Sequence, residues 1–221
     1  MKIYTIEVRG FDPAIIAMRM PYENGYKSDS CDCSMIQFAC EECRHFQECQ
    51  KEWYYYIGTA DLDLCQRLIK AGSSHRKFLR MIQVWAEITA PMYWWKQFDT
   101  YKVGTSASSS STMHLLMKQK VSFNDFDGMD YDVFTRDYIA GINFLIEEYQ
   151  KSDSEEERKK IEKRVIGMLP QGYKQMRIVN LNYEVLLNIY LQRKGHKLSE
   201  WQKFCKWIKT LPYMQEFLQE D

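Results

Sequence analysis

The amino-acid sequence predicts an α/β fold of the α+β kind, with a mixed sheet packed by helices. Two stretches, Lys2 to Val8 and Leu79 to Ala90, alternate apolar and polar residues with the period of a half-buried strand. Apolar residues recur at helical spacing from Tyr138 to Tyr149, and from about Lys174 to Lys194 before a stop at Gly195. Strands and helices therefore share the chain, and the C-terminal helices are expected to be long.

Length and charge restrict the class of protein. The 221 residues suit a single domain over 1–221 with a sizeable core. Thirty basic residues balance thirty acidic ones, so no global field favours nucleic acid or an anionic membrane as a partner. The chain has no apolar run as long as a membrane span and no basic-then-apolar signal peptide. A cytoplasmic protein is therefore expected.

A cysteine-rich segment at about 28–50 is interpreted as an insertion into this domain. It holds five of the seven cysteines, among them the pairs Cys31/Cys33 and Cys40/Cys43. Thiolate pairs at such spacings can chelate zinc tetrahedrally, so these four residues are candidate metal ligands. The alternative is a set of reduced thiols on a helix, since disulfides are disfavoured without secretion.

The segment from Ala90 to His114 combines two features of a binding site. Pro91 can occupy a first helical position and opens an apolar turn that leads to Gln97. A hydroxyl-rich run, Thr105 to Thr112, follows, and such a run can bind phosphate at a helix start. By composition alone the same run is typical of a flexible loop.

This segment resembles the signature region of the flavin-dependent thymidylate synthases, Gln-x-x-Arg-His-Arg-x-x-Ser-x-Asn-x-x-Ser-x-Arg after an Ala-Pro-led turn. Aligned without a gap, Gln97 and Ser110 match the family's glutamine and second serine. The other positions are substituted: Thr100, Tyr101 and Lys102 stand at Arg-His-Arg, Thr105 at the first serine, Ala107 at the asparagine and Thr112 at the last arginine.

Further blocks extend the resemblance in the same order along the chain. His75, after a glycine-bearing turn, stands where the family carries a flavin-contacting histidine. From Asn182 to Arg193 the sequence repeats the spacing Asn-x-Arg-x-Leu-x-Asn-x-x-x-x-Arg, with Glu184 in place of the middle arginine. Arg164 resembles the arginine that holds the nucleotide, although it lies two residues further from the following Leu-Pro pair.

The resemblance implies that the protein methylates dUMP or a related pyrimidine deoxynucleotide. It also implies a homo-oligomer, with a tetramer as the expected form. FAD would be the cofactor, methylenetetrahydrofolate the carbon donor and NADPH a further partner. The catalytic residues would be Arg193 and Gln97. The nucleotide would be bound by Gln97, Ser108, Ser109, Ser110, Arg164 and Arg193. The flavin would be bordered by His75, Thr100, Tyr101, Lys102, Asn182 and Asn188.

Three arginines of the family pattern are replaced here by residues without a positive charge, Thr100, Thr112 and Glu184. Each lost charge-assisted contact to phosphate costs roughly 1.5 to 3 kcal/mol of binding free energy. Two alternatives therefore stay open: a catalytically silent homologue that binds nucleotide or flavin, and a zinc-bearing interaction protein built on the cysteine cluster. Flavin or metal in the purified protein would separate them.

Overall fold

A computed structural model describes residues 1–32 and 55–219 of the chain. The strands are β1 (Lys2–Arg9), β2 (Cys31–Asp32), β3 (Tyr55–Tyr56), β4 (Gln83–Pro91), β5 (Thr105–Ser109) and β6 (Lys174–Asn182). The α-helices are α1 (Phe11–Arg19), α2 (Thr59–Lys70), α3 (Met92–Phe98), α4 (Thr112–Leu116), α5 (Val133–Lys151), α6 (Glu155–Met168), α7 (Tyr183–Arg193), α8 (Ser199–Thr210) and α9 (Met214–Leu218). Short 3-10 helices span Met20–Tyr22, Gly25–Lys27, Lys77–Arg80 and Phe123–Asp125.

Four of the strands form an antiparallel sheet in the order β1-β4-β6-β5, and β2 pairs with β3 separately. The predicted α+β class is thus confirmed, although the sheet is antiparallel and not mixed. In β4 the residues Val84, Ala86, Ile88 and Ala90 are buried and alternate with partly exposed ones, as the sequence pattern predicts. Strand direction escaped prediction because the neighbours in the sheet are joined by long connections.

The predicted helix from Lys174 to Lys194 is wrong over its first half. Residues Lys174–Asn182 form β6, in which Val179 and Leu181 are buried while Met176 and Ile178 are exposed. This alternation has the period of a strand, and pairing with two neighbouring strands decides the conformation. The helix begins only at Tyr183, so the C-terminal helices α7 and α8 have 11 and 12 residues and are shorter than expected.

The chain forms two compact units, of which the first comprises Met1–Tyr4, Glu87–Tyr101 and Ala107–Ile178. Its core is an apolar cluster built around the hairpin of α5 and α6, with Ile142, Ile146 and Val165 fully buried. Asp132 and Ser154 cap these two helices, because their side chains accept hydrogen bonds from the amides of Thr135 and Glu157. The predicted helix from Tyr138 to Tyr149 is confirmed as the central part of α5.

The second unit comprises Thr5–Ala86, Lys102–Ser106 and Val179–Asp221. Its core contains a group of aromatic rings in edge-to-face or stacked contact: Phe11 with Tyr55, Tyr183 and Tyr213, and Phe217 with Phe78, Tyr183 and Tyr213. The fully buried Tyr183 hydroxyl donates a hydrogen bond to the Pro212 carbonyl oxygen at 2.9 Å. These contacts hold the start of α7 against the C-terminal residues of the chain.

Candidate functional site

In the first unit, the end of helix α3 carries the best-matched motif residue, Gln97. Gln97 is half-buried one residue before the helix ends at Phe98. The backbone amide and the hydroxyl of Thr100 both donate to the Gln97 carbonyl oxygen, at 3.2 and 2.7 Å. The amide of Tyr101 donates to the Phe98 carbonyl oxygen at 3.0 Å, which closes the turn. The Thr100 amide and hydroxyl therefore satisfy a carbonyl at the end of the helix.

The hydroxyl-rich run is partly strand, since Ser108 and Ser109 lie in β5 and Ser110 follows it. Both backbone polar groups of Ser110, its amide and its carbonyl, are hydrogen-bonded. Its amide donates to the Met176 carbonyl oxygen at 2.9 Å, and its own carbonyl accepts from Gln175 Nε2 at 3.0 Å. Ser108 and Ser109 are exposed, and their hydroxyls form no hydrogen bond within residues 1–32 and 55–219. These hydroxyls are therefore available to a ligand.

Arg177 joins the two preceding groups of residues. Its Nη1 lies 2.7 Å from Asp99 Oδ1, and its Nε donates to Gln175 Oε1 at 3.0 Å. The guanidinium also stacks on the Trp95 ring, 4.3 Å from the centroid, and Trp95 Nε1 donates to the Gln175 carbonyl oxygen at 2.9 Å. Gln175 thus bridges the end of α3 to Ser110, with a fixed cation beside them.

Arg164, the predicted counterpart of the nucleotide-holding arginine, is exposed on α6. Its side chain makes no hydrogen bond or ion pair with any other residue that the structure describes. The same helix turns Val165 into the apolar core, so the arginine points away from that core. A role for Arg164 in nucleotide binding stays a prediction.

In the second unit, Glu184 is the centre of a charged cluster. It is buried in the first turn of α7, and its Oε1 lies 3.5 Å from Arg76 Nε. Its Oε2 pairs with Arg80 Nε. Arg76 also donates through Nη2 to Asn188 Oδ1 at 2.7 Å. The predicted flavin residues Asn188 and His75 therefore flank one ion-pair network, since His75 directly precedes Arg76.

Two other predicted flavin residues lie at the start of α7 and in the segment before β5. Asn182 is buried and caps the helix, because its Oδ1 accepts from the Val185 amide at 3.0 Å. Lys102 is exposed, two residues before Gly104. Gly104 has φ +72°, and a Cβ at this position would lie 2.5 Å from Asn182 Nδ2. A glycine here allows the backbone to approach the helix start closely.

Arg193, the predicted catalytic arginine, is the last residue of α7. Its guanidinium stacks on the ring of the fully buried Trp201, 4.8 Å from the centroid. The edge of the His196 ring approaches the same indole, with 6.3 Å between ring centroids. Stacking fixes the plane of a guanidinium, whose hydrogen bonds are donated through its edge. Trp201 therefore orients Arg193.

The structure thus groups the predicted residues locally. In the first unit, Gln97 and Thr100 are hydrogen-bonded to each other at the end of α3, and Ser110 is hydrogen-bonded to Gln175. In the second unit, His75 and Asn188 flank the Glu184 cluster. Sequence reasoning missed the three arginines 76, 80 and 177. A signal for the first two exists in the basic run His75-Arg76-Lys77, and in a glutamate at an arginine position. No sequence signal indicated Arg177, because the pattern of its segment predicts a helix.

The zinc prediction receives no support from the described residues. Cys31 lies in β2, opposite Tyr56, whereas Cys33, Cys40 and Cys43 lie outside the described residues. Within residues 1–32 and 55–219, no group of three or more His, Cys, Asp or Glu side chains is placed to hold a metal ion. In the same part of the chain, no helix combines the length and the apolar character needed to cross a membrane.

Comparison with solved structures identifies the class of fold as that of a known group of enzymes. The crystal structure of the flavin-dependent thymidylate synthase ThyX from Helicobacter pylori, complexed with FAD and dUMP, matches with a TM-score of 0.68 and 17% sequence identity. The match covers 100% of this chain and 99% of that chain. A second ThyX structure from Helicobacter pylori with FAD and dUMP gives a TM-score of 0.69, again at 17% identity, over 100% and 98% of the two chains.

Comparison of the sequence with protein-family models and with curated proteins gives no match. The chain therefore has the flavin-dependent thymidylate synthase fold with a strongly divergent sequence. This agrees with the fold expected from the three collinear motif blocks.

Proposed function

We propose that this protein methylates a pyrimidine deoxynucleotide, converting dUMP to dTMP with FAD as cofactor and methylenetetrahydrofolate as carbon donor. One observation carries the proposal: the fold agrees over the full length of both chains with an enzyme crystallised with FAD and dUMP. The motif blocks add to it, because their best-matched residues, Gln97, Ser110 and Arg193, lie in locally ordered surroundings.

The residues of the second unit suit a flavin dinucleotide, which is anionic and rich in hydrogen-bond acceptors. His75 and Lys102 are exposed, and Asn188 is held in a fixed orientation by Arg76. These side chains offer donors and positive charge, as the pyrophosphate and ring carbonyls of FAD require. When bound, the reduced flavin would supply the reducing equivalents for methyl formation. Asn182 would contribute only through its Nδ2, since its Oδ1 caps α7.

The residues of the first unit suit the nucleotide. Gln97 can donate and accept hydrogen bonds to the nucleotide, and the hydroxyls of Ser108 and Ser109 can donate to its phosphate. Arg177 places a positive charge in the same network, although Asp99 offsets part of it. Arg193, oriented by Trp201, would grip the pyrimidine in this proposal. In this proposal, neighbouring subunits of a homotetramer complete the binding sites.

The remaining partners follow from the same proposal. NADPH would reduce the flavin, and the protein would work in the cytoplasm. The chain would act as one domain with a cysteine-rich insertion at about 28–50. Within this segment, Cys31 and Asp32 pair antiparallel with Tyr56 and Tyr55.

A titration with FAD and dUMP, followed by an assay for dTMP in the presence of methylenetetrahydrofolate and NADPH, tests the proposal. Binding with turnover is expected. The variant Arg193→Ala should weaken dUMP binding by about 2 kcal/mol, because a charge-assisted contact is lost. The matched control Arg136→Ala removes an exposed guanidinium that pairs, within residues 1–32 and 55–219, only with the neighbouring Asp137, and this variant should bind normally.

Two other outcomes contradict catalysis. Binding of both ligands without turnover would identify a catalytically silent homologue, which the buried Glu184 in place of an arginine favours. Failure of the protein to bind either ligand would reduce the likeness to one of fold alone.

A further inference from the structure

The residues from His75 to Arg80 form a basic surface that the motif blocks do not explain. Arg76, Lys77 and Arg80 are cationic, and Lys77 and Arg80 are exposed with His75 beside them. Among the described residues, Glu184 is the acidic side chain that these cations contact. Two guanidiniums therefore share one carboxylate, which leaves an excess positive charge at this position.

Glu184 binds each of the two guanidiniums through its Nε atom. Its two carboxylate oxygens accept from the Nε atoms of Arg76 and Arg80, so each guanidinium turns its Nη atoms away from the carboxylate. Arg76 uses Nη2 to bind Asn188 Oδ1 at 2.7 Å. Arg80 donates no hydrogen bond through Nη1 or Nη2 to any residue in 1–32 or 55–219.

The exposed fractions of Glu184, Arg76 and Arg80 differ, and the difference favours a role of Arg80 in ligand binding over a role in stability. The side chain of Glu184 is 8% exposed and that of Arg76 is 13% exposed, so these two form a buried pair. The side chain of Arg80 is 54% exposed. A half-exposed ion pair contributes little to folding, but a buried carboxylate gives the guanidinium a fixed direction. Arg80 is therefore a preoriented cation with unused donors at the surface.

Glu184 stands at a position where the thymidylate synthase pattern has arginine. The local charge that one arginine would supply is restored here by two arginines from another segment, since two positive charges and one negative charge leave one positive charge. The cationic group has moved from α7 to the turn that follows His75. Its chemistry, a planar fork of N–H donors, is unchanged.

We propose that Arg80, oriented by Glu184 and supported by Arg76, binds phosphate oxygens of a nucleotide ligand. The identity of this ligand rests on the proposed function. The pyrophosphate of FAD and the phosphate of dUMP both present anionic phosphate oxygens. A guanidinium fork can bind two phosphate oxygens at once. Arg80 is thus a binding residue, and Glu184 is a positioning residue.

The test compares Arg80→Ala with the matched control Arg67→Ala, which removes an exposed guanidinium from α2 in the same unit. FAD, FMN and riboflavin are titrated by flavin fluorescence, and dUMP and deoxyuridine by calorimetry. Arg80→Ala should bind its phosphate-bearing ligand about tenfold more weakly, because one charge-assisted contact is lost. Riboflavin and deoxyuridine should bind equally to all variants, and Arg67→Ala should match the wild type.

The pattern of losses identifies the source of the phosphate. Weaker binding of FAD, with dUMP unchanged, assigns Arg80 to the flavin; the reverse pattern assigns it to the nucleotide. Arg80→Lys should restore part of the affinity, because charge returns without the planar fork. Equal affinities of wild type and Arg80→Ala for every phosphate-bearing ligand would overturn the inference, while turnover in the same samples would leave the proposed function intact.

Inorganic pyrophosphate is the probe if the wild type binds no flavin or nucleotide, in which case the proposed function fails. Pyrophosphate binding that depends on Arg80 would still support the anion site. If pyrophosphate does not bind, or binds equally without Arg80, the anion site is overturned. The orienting role has its own readout in Glu184→Gln. This variant removes a negative charge, yet it should bind pyrophosphate more weakly than the wild type. Stronger binding by a folded Glu184→Gln variant would contradict the positioning role.

Discussion

The buried carboxylate of Asp61 offers the strongest test of how the second unit is stabilised. Asp61 is 0% exposed, and its Oδ1 accepts from Arg19 Nε at 2.5 Å. Its Oδ2 accepts from the hydroxyls of Ser28 and Ser30, both at 2.6 Å, and from the Asp29 amide at 3.2 Å. Burial alone would raise the pKa of Asp61, but the hydrogen bonds from Ser28, Ser30 and Arg19 together hold this pKa below its ordinary value.

Asp61→Asn removes the charge without changing the volume of the side chain. Arg19, which is 6% exposed, then remains buried without a counterion, and the new amide NH₂ group faces either Arg19 or the donors to Oδ2. Breaking a buried ion pair in this way costs about 3 to 5 kcal/mol. The free energy of unfolding should fall by this amount, measured by urea denaturation at neutral pH with circular dichroism and tryptophan fluorescence.

Asp63→Asn is the matched control, because Asp63 lies on the same helix and is 66% exposed in a surface pair with Arg67. The free energy of unfolding of this variant should fall by no more than about 0.5 kcal/mol, as is usual for exposed pairs. If both variants lose the same free energy, the reasoning about burial is wrong.

The pH dependence supplies a second check. Since the folded pKa of Asp61 is lowered, its contribution to stability is fully present above the unfolded value, near 3.8, and is lost as the pH falls through the lower folded pKa. The difference in unfolding free energy between wild type and Asp61→Asn should therefore be constant from neutral pH to mild acid and should shrink below pH 3.8. A difference that persists unchanged in stronger acid would refute this linkage.

Two further predictions concern single side chains. Burial raises the pKa of the Cys65 thiol to about 12, so iodoacetamide at neutral pH should label this residue only after unfolding, as read by peptide mass spectrometry. Labelling of the native protein at the rate of the unfolded chain would contradict its burial. Arg177→Leu removes the stacking on Trp95 and the pair with Asp99, and should lower the free energy of unfolding by about 1 to 2 kcal/mol in urea denaturation. Arg177→Lys should recover only part of the lost free energy of unfolding. If Arg177→Leu is as stable as the wild type, the contacts of Arg177 with Trp95 and Asp99 do not stabilise the protein.

Local pattern predicted the elements whose periodicity is unambiguous. The alternation from Leu79 to Ala90 indicated β4, and the helical spacing from Tyr138 to Tyr149 indicated α5, because each arises from the burial of one face of a regular element. The spacing of the motif blocks indicated the fold. Segment 174–182 was misjudged because its apolar residues fit both periods, and only pairing in the sheet selects the strand.

The candidate site shows the same division between sequence and structure. Gln97, Ser110 and Arg193 were predicted as site residues from the sequence, because motif spacing reports which residue types recur at which distance along the chain. Asn182 was found too, but as a ligand residue, and the structure also gives it a helix-capping role.

The charged partners of the site depend on contacts between distant segments. Glu184 meets Arg80 across 104 residues, and Arg177 meets Asp99 across 78. The sequence by itself determined that positions 100, 112 and 184 lack arginine. Only the tertiary structure decided that arginines 76, 80 and 177 stand beside the motif residues. The physical reason is that an ion pair depends on distance in space, and the fold sets this distance independently of separation along the chain.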